Sequence, residues 1–529
     1  MHKLDAHRFF RGVIVNVLGA LSVLLPATAN AGSFALNEQS VSGLGTAYAG
    51  GAAQAEDAST IFFNPAGIAL LEQGEFQVGG QYLFPQATFT NQGSRYNLPN
   101  TPLNGEQISG GNGGGGGVDH LLPNIYLSQP VFRSSQYGDL SVGVGLSVPF
   151  GLETDYSPGW VGRYVALRTK LTTFDIQPTV AYRYGRLSLG ASLGAQYASA
   201  RLTQAIDFGL AGEQVLGQFE QALPALLAAQ GVPVAEIPSV LKATQQAYNN
   251  AGFVPGGHDG ISEVTGDDWS LGFTLGAIFE YWKGDDQSIL QDGRFGFSYR
   301  SGISHTLSGN VSFRDVPTIA ASGAPVPFPQ PNAFQDIFFD QSASAQLDLP
   351  EIYHFSLYQR FARQFALMGD ISWTRWSRLQ SVPITFQSSA TPSNVLQLNY
   401  KDAVRYAIGM EWYATKNLTL RLGFAYDETP IAGANFRTPR IPDNNRYFLS
   451  AGLRWSPTRF MDFDVGYAHL FVQEPTVDFT DSQGHELRGN FDTAVDIVSA
   501  SVTFRWGGPR ETPRPLPEPT GKEAAGYRK

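Results

Sequence analysis

The chain has 529 residues, no cysteine and a formal net charge of −10. These numbers leave no room for a disulfide framework, a thiolate metal site or a lipid-modified N-terminal Cys, and they argue against nucleic acid as a partner. Mean hydropathy is slightly negative, and after the N-terminus no stretch is long and apolar enough for a spanning helix; that excludes a helical-bundle membrane protein but not a β-barrel, in which only alternate residues meet lipid.

Residues 1–31 read as a cleaved signal peptide. Lys3, Arg8 and Arg11 form a basic start, Gly12 to Leu25 is an uncharged apolar run, and Ala29-Asn30-Ala31 is a small-x-small cleavage site. The run is short for a spanning helix. Cleavage removes three positive charges and one negative, so the chain from Gly32 onward carries −12.

Residues 32–73 are rich in Gly, Ala and Ser and lack a period of two, so they are expected to form a compact plug, or hatch. Beyond Gly74 the pattern changes. In Arg405-Tyr406-Ala407-Ile408-Gly409-Met410-Glu411-Trp412, and again in Thr419-Leu420-Arg421-Leu422-Gly423-Phe424-Ala425-Tyr426, apolar and small or polar residues alternate. Successive strand side chains point to opposite faces, so each segment has one apolar face and one polar or small one. Fourteen such strands are predicted, at 74–90, 121–132, 139–150, 165–184, 186–206, 268–282, 293–313, 341–361, 364–386, 399–415, 418–431, 444–458, 460–479 and 492–506. Short connections such as Tyr184-Gly185-Arg186, Thr415-Lys416-Asn417 and Ser456-Pro457-Thr458 alternate with long ones at 91–120, 207–267, 314–340, 387–398, 430–443 and 480–491. That asymmetry is the mark of an antiparallel transmembrane β-barrel over 74–506, with short periplasmic turns and long outer loops. A soluble propeller or sandwich does not explain it, and no blade motif repeats.

Three loops differ from the rest. Residues 110–117 are almost all glycine and read as a flexible linker. Residues 207–267 carry Val215, Leu216, Phe219, Leu223, Leu226 and Leu227 at helical spacing, with Pro224 as a possible kink. Residues 314–340 are too apolar for a loop facing only water. Phe219, Leu223 and Leu226 from the one and Phe334, Phe338 and Phe339 from the other are candidates for an apolar ligand groove; the alternative is that the two loops bury each other. Residues 507–529 are proline-rich and charged, and read as a disordered periplasmic tail.

The N-terminal segment contains the most specific words. Gly32-Ser33-Phe34-Ala35-Leu36-Asn37-Glu38-Gln39-Ser40 precedes Ser42-Gly43-Leu44-Gly45-Thr46-Ala47-Tyr48-Ala49-Gly50, and Asp57-Ala58-Ser59-Thr60-Ile61-Phe62-Phe63-Asn64-Pro65-Ala66 follows. This resembles the hatch of the FadL/TodX family of outer-membrane transporters, with Asn64, Pro65 and Ala66 as the hallmark triplet. The resemblance continues in Pro149-Phe150-Gly151-Leu152, in Trp160-Val161-Gly162-Arg163-Tyr164, in Thr173-Phe174-Asp175-Ile176-Gln177-Pro178 and in Asp267-Asp268-Trp269. It implies a fourteen-stranded barrel, in agreement with the count above. It also implies passive uptake of hydrophobic molecules: capture between the long loops, hatch movement, and lateral exit at a kink in the third strand. The tail after Trp506 departs from the family pattern.

That third strand is built for weak pairing. Leu140, Val142, Val144, Leu146, Val148 and Phe150 are expected outward and Ser141, Gly143, Gly145, Ser147 and Pro149 inward. Pro149 cannot donate to the ladder, and Gly143 and Gly145 mark a bend or make room for the hatch. Enzyme chemistry finds no support. His354, Ser356 and Arg360 lie near one another in sequence, but side chains at i and i+2 sit too far apart for a hydrogen-bonded dyad, and no metal spacing or phosphate loop is present. The inward charges Asp175, Arg183, Asp370, Arg405, Glu411, Arg421, Asp427, Arg454, Asp464 and Arg505 read as a network bracing barrel and hatch. Arg201 is the candidate cation for a carboxylate head group.

The expected protein is therefore a monomeric outer-membrane channel, without cofactor or metal, whose partners are a hydrophobic small molecule and membrane lipid. Long-chain fatty acids are the expected cargo. The alternatives are aromatic hydrocarbons, as in the TodX branch, or a surface adhesin or structural barrel.

Overall fold

The computed structural model describes residues 33–508 apart from 135, 285–287 and 392. The expected signal peptide (1–31) and the tail beyond residue 508 lie outside the described residues.

Fourteen strands close a barrel. They are β1 (Gly74–Asn91), β2 (His120–Ser134), β3 (Gly138–Ser147 and Gly151–Asp155), β4 (Arg168–Tyr184) and β5 (Leu187–Asp207). Next come β6 (Asp259–Trp282), β7 (Leu290–Arg300 and Ile303–Arg314), β8 (Gln341–Leu349 and Ile352–Phe361), β9 (Phe365–Thr374 and Ser381–Phe386) and β10 (Asn394–Gln397 and Ala403–Tyr413). The last four are β11 (Leu418–Asp427), β12 (Arg446–Thr458), β13 (Met461–Val472 and Thr476–Thr480) and β14 (His485–Trp506). Every strand is antiparallel to the next, and β1 pairs with β14 from Gly74↔Trp506 to Asn91↔Gly489, so the sheet has no free edge. Six strands are interrupted. The sequence pattern carried several of them through as continuous, because a break of a few residues leaves the alternation on either side intact.

Alternation sets the two faces. Tyr406, Ile408, Trp412, Leu422 and Phe424 are exposed on the outside, while Ala407, Glu411, Arg421 and Ala425 are buried inside. Among the described residues no helix is long and apolar enough to cross a membrane; the strands do the crossing.

The lumen holds residues 33–73. Two short helices, α1 (Val41–Leu44) and α2 (Thr60–Phe63), and a 3-10 turn (Pro65–Leu70) fold there. α1 touches β12, β13, β14 and β1, and the 3-10 turn touches β2 to β6, so the segment bridges the ring. The wall receives it through glycine. A Cβ at Gly190, Gly276, Gly296 or Gly423 would collide with Ala66, Asn64, Ala52 or Thr46 respectively. Strand glycine normally weakens a sheet, and here it marks close approach of another backbone.

Outside, α3 (Phe208–Ala229) and α4 (Ile237–Asn250) form a helical pair, α3 being capped by Asp207, which accepts the Leu210 N–H at 2.8 Å. α3 runs on through Pro224. The Gly-rich run 110–117 is not a free linker. The Gly111 N–H donates to the Gly159 carbonyl (3.2 Å) and the Val161 N–H to the Gly111 carbonyl (2.9 Å). At Gly113 a side chain would strike the Trp160 ring, and at Gly116 the Tyr156 ring. The missing side chains are what let this strap lie flat on two aromatic faces.

Candidate functional site

Asn64 and Pro65 tie the lumen segment to the wall. Asn64 is extended (φ −154°, ψ 106°), ending α2 and capping the 3-10 turn, while Pro65 pre-sets the first helical φ. The fully buried Asn64 amide accepts the Ala66 N–H (3.0 Å) and donates towards the carbonyls of Ala52 (2.7 Å), Ala277 on β6 (3.1 Å) and Phe297 on β7 (3.2 Å). One side chain thus joins three stretches of chain.

Charge ties down the opposite side. Arg421 meets Glu56, Glu411 and Asp464, each at 2.8 Å. Arg454 meets Glu56 (2.8 Å), Asp57 (2.7 Å) and Asp464 (2.8 Å). Asp57 also accepts the hydroxyls of Ser42 (2.7 Å) and Ser59 (2.6 Å). The Ser356 hydroxyl donates to Asp370 and accepts the Ala52 N–H (3.0 Å), while His354 Nδ1 lies 3.8 Å from the same carboxylate. The carboxylate is bonded by the serine directly, with no histidine between them, so this trio braces the lumen and activates no nucleophile.

The break in β3 falls at residues 148–150. On the β2 side pairing ends at Ile125↔Leu146. The next residue of β2, Asn124, is buried, and its side-chain amide has no hydrogen-bond partner among the described residues; neither has the Ser147 hydroxyl. The lumen segment fills in from inside. Gln39 brackets Val148, donating to its carbonyl (2.6 Å) and accepting its N–H (2.9 Å). The Leu36 N–H donates to the Pro149 carbonyl (2.9 Å), and the Gly151 N–H to that of Phe34 (3.0 Å). Val148 and Phe150 were expected to face lipid. Both are buried, at 8% and 2% exposure, because the kink reverses their direction and packs Phe150 against Phe34 and Trp376. Gly143 and Gly145 lie apart from the break, in the regular ladder opposite Ser128 and Tyr126, where a Cβ would come within 2.9 and 3.0 Å of Ile61.

Beside the break lies an apolar cavity, with about 750 Å³ of empty space including its open side. Phe34, Leu171, Leu202, Leu307, Leu347 and Ile384 are among its lining residues. Around it the strands are interrupted in β7, β8, β9 and β10, so the wall there is not a plain ladder. A more polar cavity, with Gln204, Ser262, Asn394 and Arg440, shares Leu202, Val264, Ile384 and Leu396 with the apolar one. Arg440 is buried, donating from Nη1 to the Thr169 hydroxyl (3.1 Å) and from Nη2 to the Gln204 carbonyl oxygen (2.6 Å). Among the described residues no carboxylate comes within ion-pair distance of it, and burial pushes its pKa down to about 10. It sits in the outer loop 428–445, and the neighbouring Pro439 carbonyl is held by the Tyr156 hydroxyl (2.8 Å). Sequence reasoning missed Arg440 because nothing in a single loop shows which cation lacks a partner.

Arg201 lies elsewhere. Its neighbours Ala200 and Leu202 line the cavity, whereas its own side chain is 46% exposed and 3.9 Å from Glu263. The loop residues divide. Leu223 and Phe334 are buried in the packed loops, with Phe208 5.0 Å from Phe334 and Phe219 5.5 Å from Phe328. Phe219 and Phe338 are partly buried against the same clusters, while Leu226 (47%) and Phe339 (41%) remain exposed.

The outer loops have a charged base of their own. His485 Nδ1 is 2.7 Å from Asp481 and Nε2 3.5 Å from Asp207, under the stacked ring of Tyr164 (4.2 Å). Burial alone would lower its pKa, but the two carboxylates outweigh this and raise it from 6.5 to about 9.

Residues 22–506 match a family described as outer membrane protein transport protein (OMPP1/FadL/TodX). The long-chain fatty acid transport protein of Escherichia coli K12 is 28% identical over 459 residues, covering 87% of this chain and 92% of that protein. The crystal structure of a Pseudomonas aeruginosa FadL homologue overlays with a TM-score of 0.70 at 24% identity, covering 89% of this chain and 99% of the other. The Pseudomonas putida toluene transporter TodX overlays at 0.56 with 15% identity, covering 85% and 95%. At those identities the two structures speak for the fold. With the family match covering nearly the whole barrel and its lumen segment, the chain belongs to the OMPP1/FadL/TodX family of outer-membrane transport proteins, which are channels and not enzymes.

Proposed function

We propose that the protein takes up long-chain fatty acids passively across the outer membrane. The observation that carries this reading is the apolar cavity, which Phe34 helps to line while Phe34 and Leu36 bond the break in β3. Cargo held in that cavity touches the segment that fills the wall. The steps run inward. Leu226 and Phe339, exposed on the outer loops, offer first contact, and the cavity buries the chain. Burying one apolar side chain's worth of surface contributes roughly 1.5–3 kcal/mol, so a long alkyl chain supplies ample binding energy. Residues 34–39 then withdraw from Val148–Gly151, and the cargo leaves sideways into the membrane between β2 and β3. Asn64, Pro65 and Ala66 keep the rest of the hatch anchored during that movement. The concentration gradient drives the flow.

The relatives' names support this at the level of cargo class, since the E. coli relative is called a long-chain fatty acid transport protein. The test is a mass spectrum of the lipid extract from the purified protein, paired with uptake of labelled oleate into proteoliposomes. Co-purified fatty acid and saturable uptake are expected. Saturable uptake of toluene but not of oleate would move the protein to hydrocarbon transport. Absence of both would leave a structural or adhesive barrel.

A further inference from the structure

We propose that the wall has a second lateral opening, between β6 and β7, through which uncharged apolar molecules pass between the cavity and the membrane while the hatch stays in place. The inference takes from the transport reading above only the role of the cavity. β6 pairs with β5 without a break from Asp259 to Phe279. Its ladder with β7 is broken. Backbone pairing stops at Thr274↔Arg300 and resumes only at Asp267↔Ser308. Ser301 closes the lower end: its N–H donates to the Phe273 carbonyl and its hydroxyl accepts the Phe273 N–H, both at 2.9 Å. From Asp268 to Gly272 side chains stand where ladder bonds belong. Asp268 accepts the Thr306 N–H (3.3 Å) and lies 3.1 Å from His305 Nδ1, and the Ser270 hydroxyl lies 2.9 Å from both the Ser304 carbonyl and Asp268. At Gly272 a Cβ would collide with the Ile303 side chain. Strand pairing is what satisfies a barrel's backbone in lipid, so a seam held by a few side chains is its weak line. The break in β3 is bonded from within by Leu36 and Gln39. The bonds across this seam belong to β6 and β7 themselves, so parting it leaves the hatch where it is.

The seam divides the cavity from lipid. Val264, Thr265, Gly266 and Leu307, at its outer end, line the apolar cavity. On the other face Trp269, Leu271 and Phe273 are exposed, and Trp269 packs on Phe174 and Tyr197, at 5.4 Å each, in an aromatic girdle of the kind that marks a membrane boundary. Asp268 sets what can pass. Its carboxylate spans the seam and is 25% exposed. An anionic head sliding past it would meet like charge away from bulk water, where repulsion is strong. A hydroxyl or methyl end meets none. Arg378 at the rim is already engaged, donating to the Ser304 hydroxyl (2.8 Å) and lying 3.7 Å from Glu351. A seam that only accommodates the bend of β7 would stay shut to every molecule.

The chain has no cysteine, so introduced pairs can be joined selectively. Asn124→Cys with Ser147→Cys stitches β2 to β3, and Ser270→Cys with Ser304→Cys stitches β6 to β7. Each pair is closed after folding with a short bismaleimide, and heat-modifiability on a gel reports whether the barrel is intact. Full-length protein in nanodiscs receives, through the bilayer, diazirine-bearing dodecanol or the matching dodecanesulfonate, which stays ionised. Brief illumination and mass spectrometry then read the labelling of peptides that carry Leu307 and Leu347. With β2–β3 stitched, dodecanol should still label the cavity at the parent rate and dodecanesulfonate should not. Stitching β6–β7 as well should abolish the dodecanol labelling. Dodecanol shut out by the first stitch alone, or still admitted after both, overturns the inference. Dodecanesulfonate entering as fast as dodecanol once β2–β3 is closed overturns it too. A parent that takes up no labelled oleate overturns the transport reading instead and leaves the dodecanol result standing.

Discussion

Towards the periplasm the lumen is closed by charge; towards the outside it is lined by leucine and isoleucine around empty space. In the inner half, Arg421, Arg454 and Arg505 face Glu56, Asp57, Glu75, Glu411, Asp462 and Asp464, and glycines let the backbones touch. In the outer half, Phe34 and the strand interruptions leave a cavity. The same N-terminal segment serves both. It is held by ion pairs at Glu56 and Asp57, and by uncharged hydrogen bonds and aromatic packing where Phe34 to Gln39 meet the broken strand. On the route proposed above, the first is the anchor and the second the removable part.

The comparison breaks outright if the removable part is never removed. Cysteines at Asn124 and Ser147, the next facing positions after Ile125↔Leu146, would stitch β2 to β3 across the gap. Oxidation, or a short bifunctional maleimide, should abolish uptake of labelled oleate, and reduction of the disulfide should restore it. Uptake at the parent rate after complete cross-linking would mean that cargo leaves into the periplasm instead.

The fixed half is tested by Arg454→Met. It leaves Asp57 and Asp464 buried without one of their counter-charges, and removing one partner of a buried pair typically costs about 3–5 kcal/mol. The variant should lose heat-modifiable folding at lower temperature and show raised leak conductance in planar bilayers. Unchanged values for both would mean that the ion pairs do not hold the segment in place. The apolar half is tested by Leu347→Asp, which sets a charge in the cavity lining. Dodecanol affinity should fall more than tenfold, since roughly 1.5–3 kcal/mol of apolar contact is lost and a carboxylate must be desolvated as well. Barrel assembly, read by heat-modifiability, should be little changed.

Which of these features could be read beforehand follows from the range of the interactions involved. Alternation is local, so the fourteen strands, their outward faces and the inward charges were all visible. Asn64-Pro65-Ala66 was visible as a motif, yet its contacts to Ala277 and Phe297 belong to strands more than 200 positions away. Pro149 falls within the break of β3, but the reversal of Val148 and Phe150 depends on Gln39 and Phe34, which no strand pattern contains. Glycine misled in one place. Residues 110–117 look like a linker in composition, whereas Trp160 and Tyr156 need their flatness. Arg440 was invisible for the same physical reason as the cavity: both are defined by what many separate strands and loops leave unfilled.

The smallest expected effect concerns a charge centre of the outer half that can be titrated. His485 sits at the outer tip of β14, in the part that projects beyond the lipid-facing band, between Asp481 and Asp207. Asp207 in turn caps α3 and accepts the Gly256 N–H (3.0 Å), so the helical pair stands on this histidine. Unlike the arginines below, it titrates in an accessible range. Its folded pKa of about 9 lies above the ordinary 6.5, so its protonated form is favoured by folding. The resulting stabilisation is complete below pH 6.5 and fades as pH rises through about 9. Limited proteolysis of the α3–α4 connection should accordingly be slower at pH 6.5 than at pH 9.5, after correction for the protease's own pH profile on an unfolded substrate. His485→Gln should be cut faster at pH 6.5 and show little pH dependence, while the inner half, held by arginine, should resist equally at both. If parent and variant keep the same ratio of rates, the loop base does not rest on the histidine's charge, and the outer half would then hold its shape through apolar packing and its other polar contacts, such as Arg163 with Asp259.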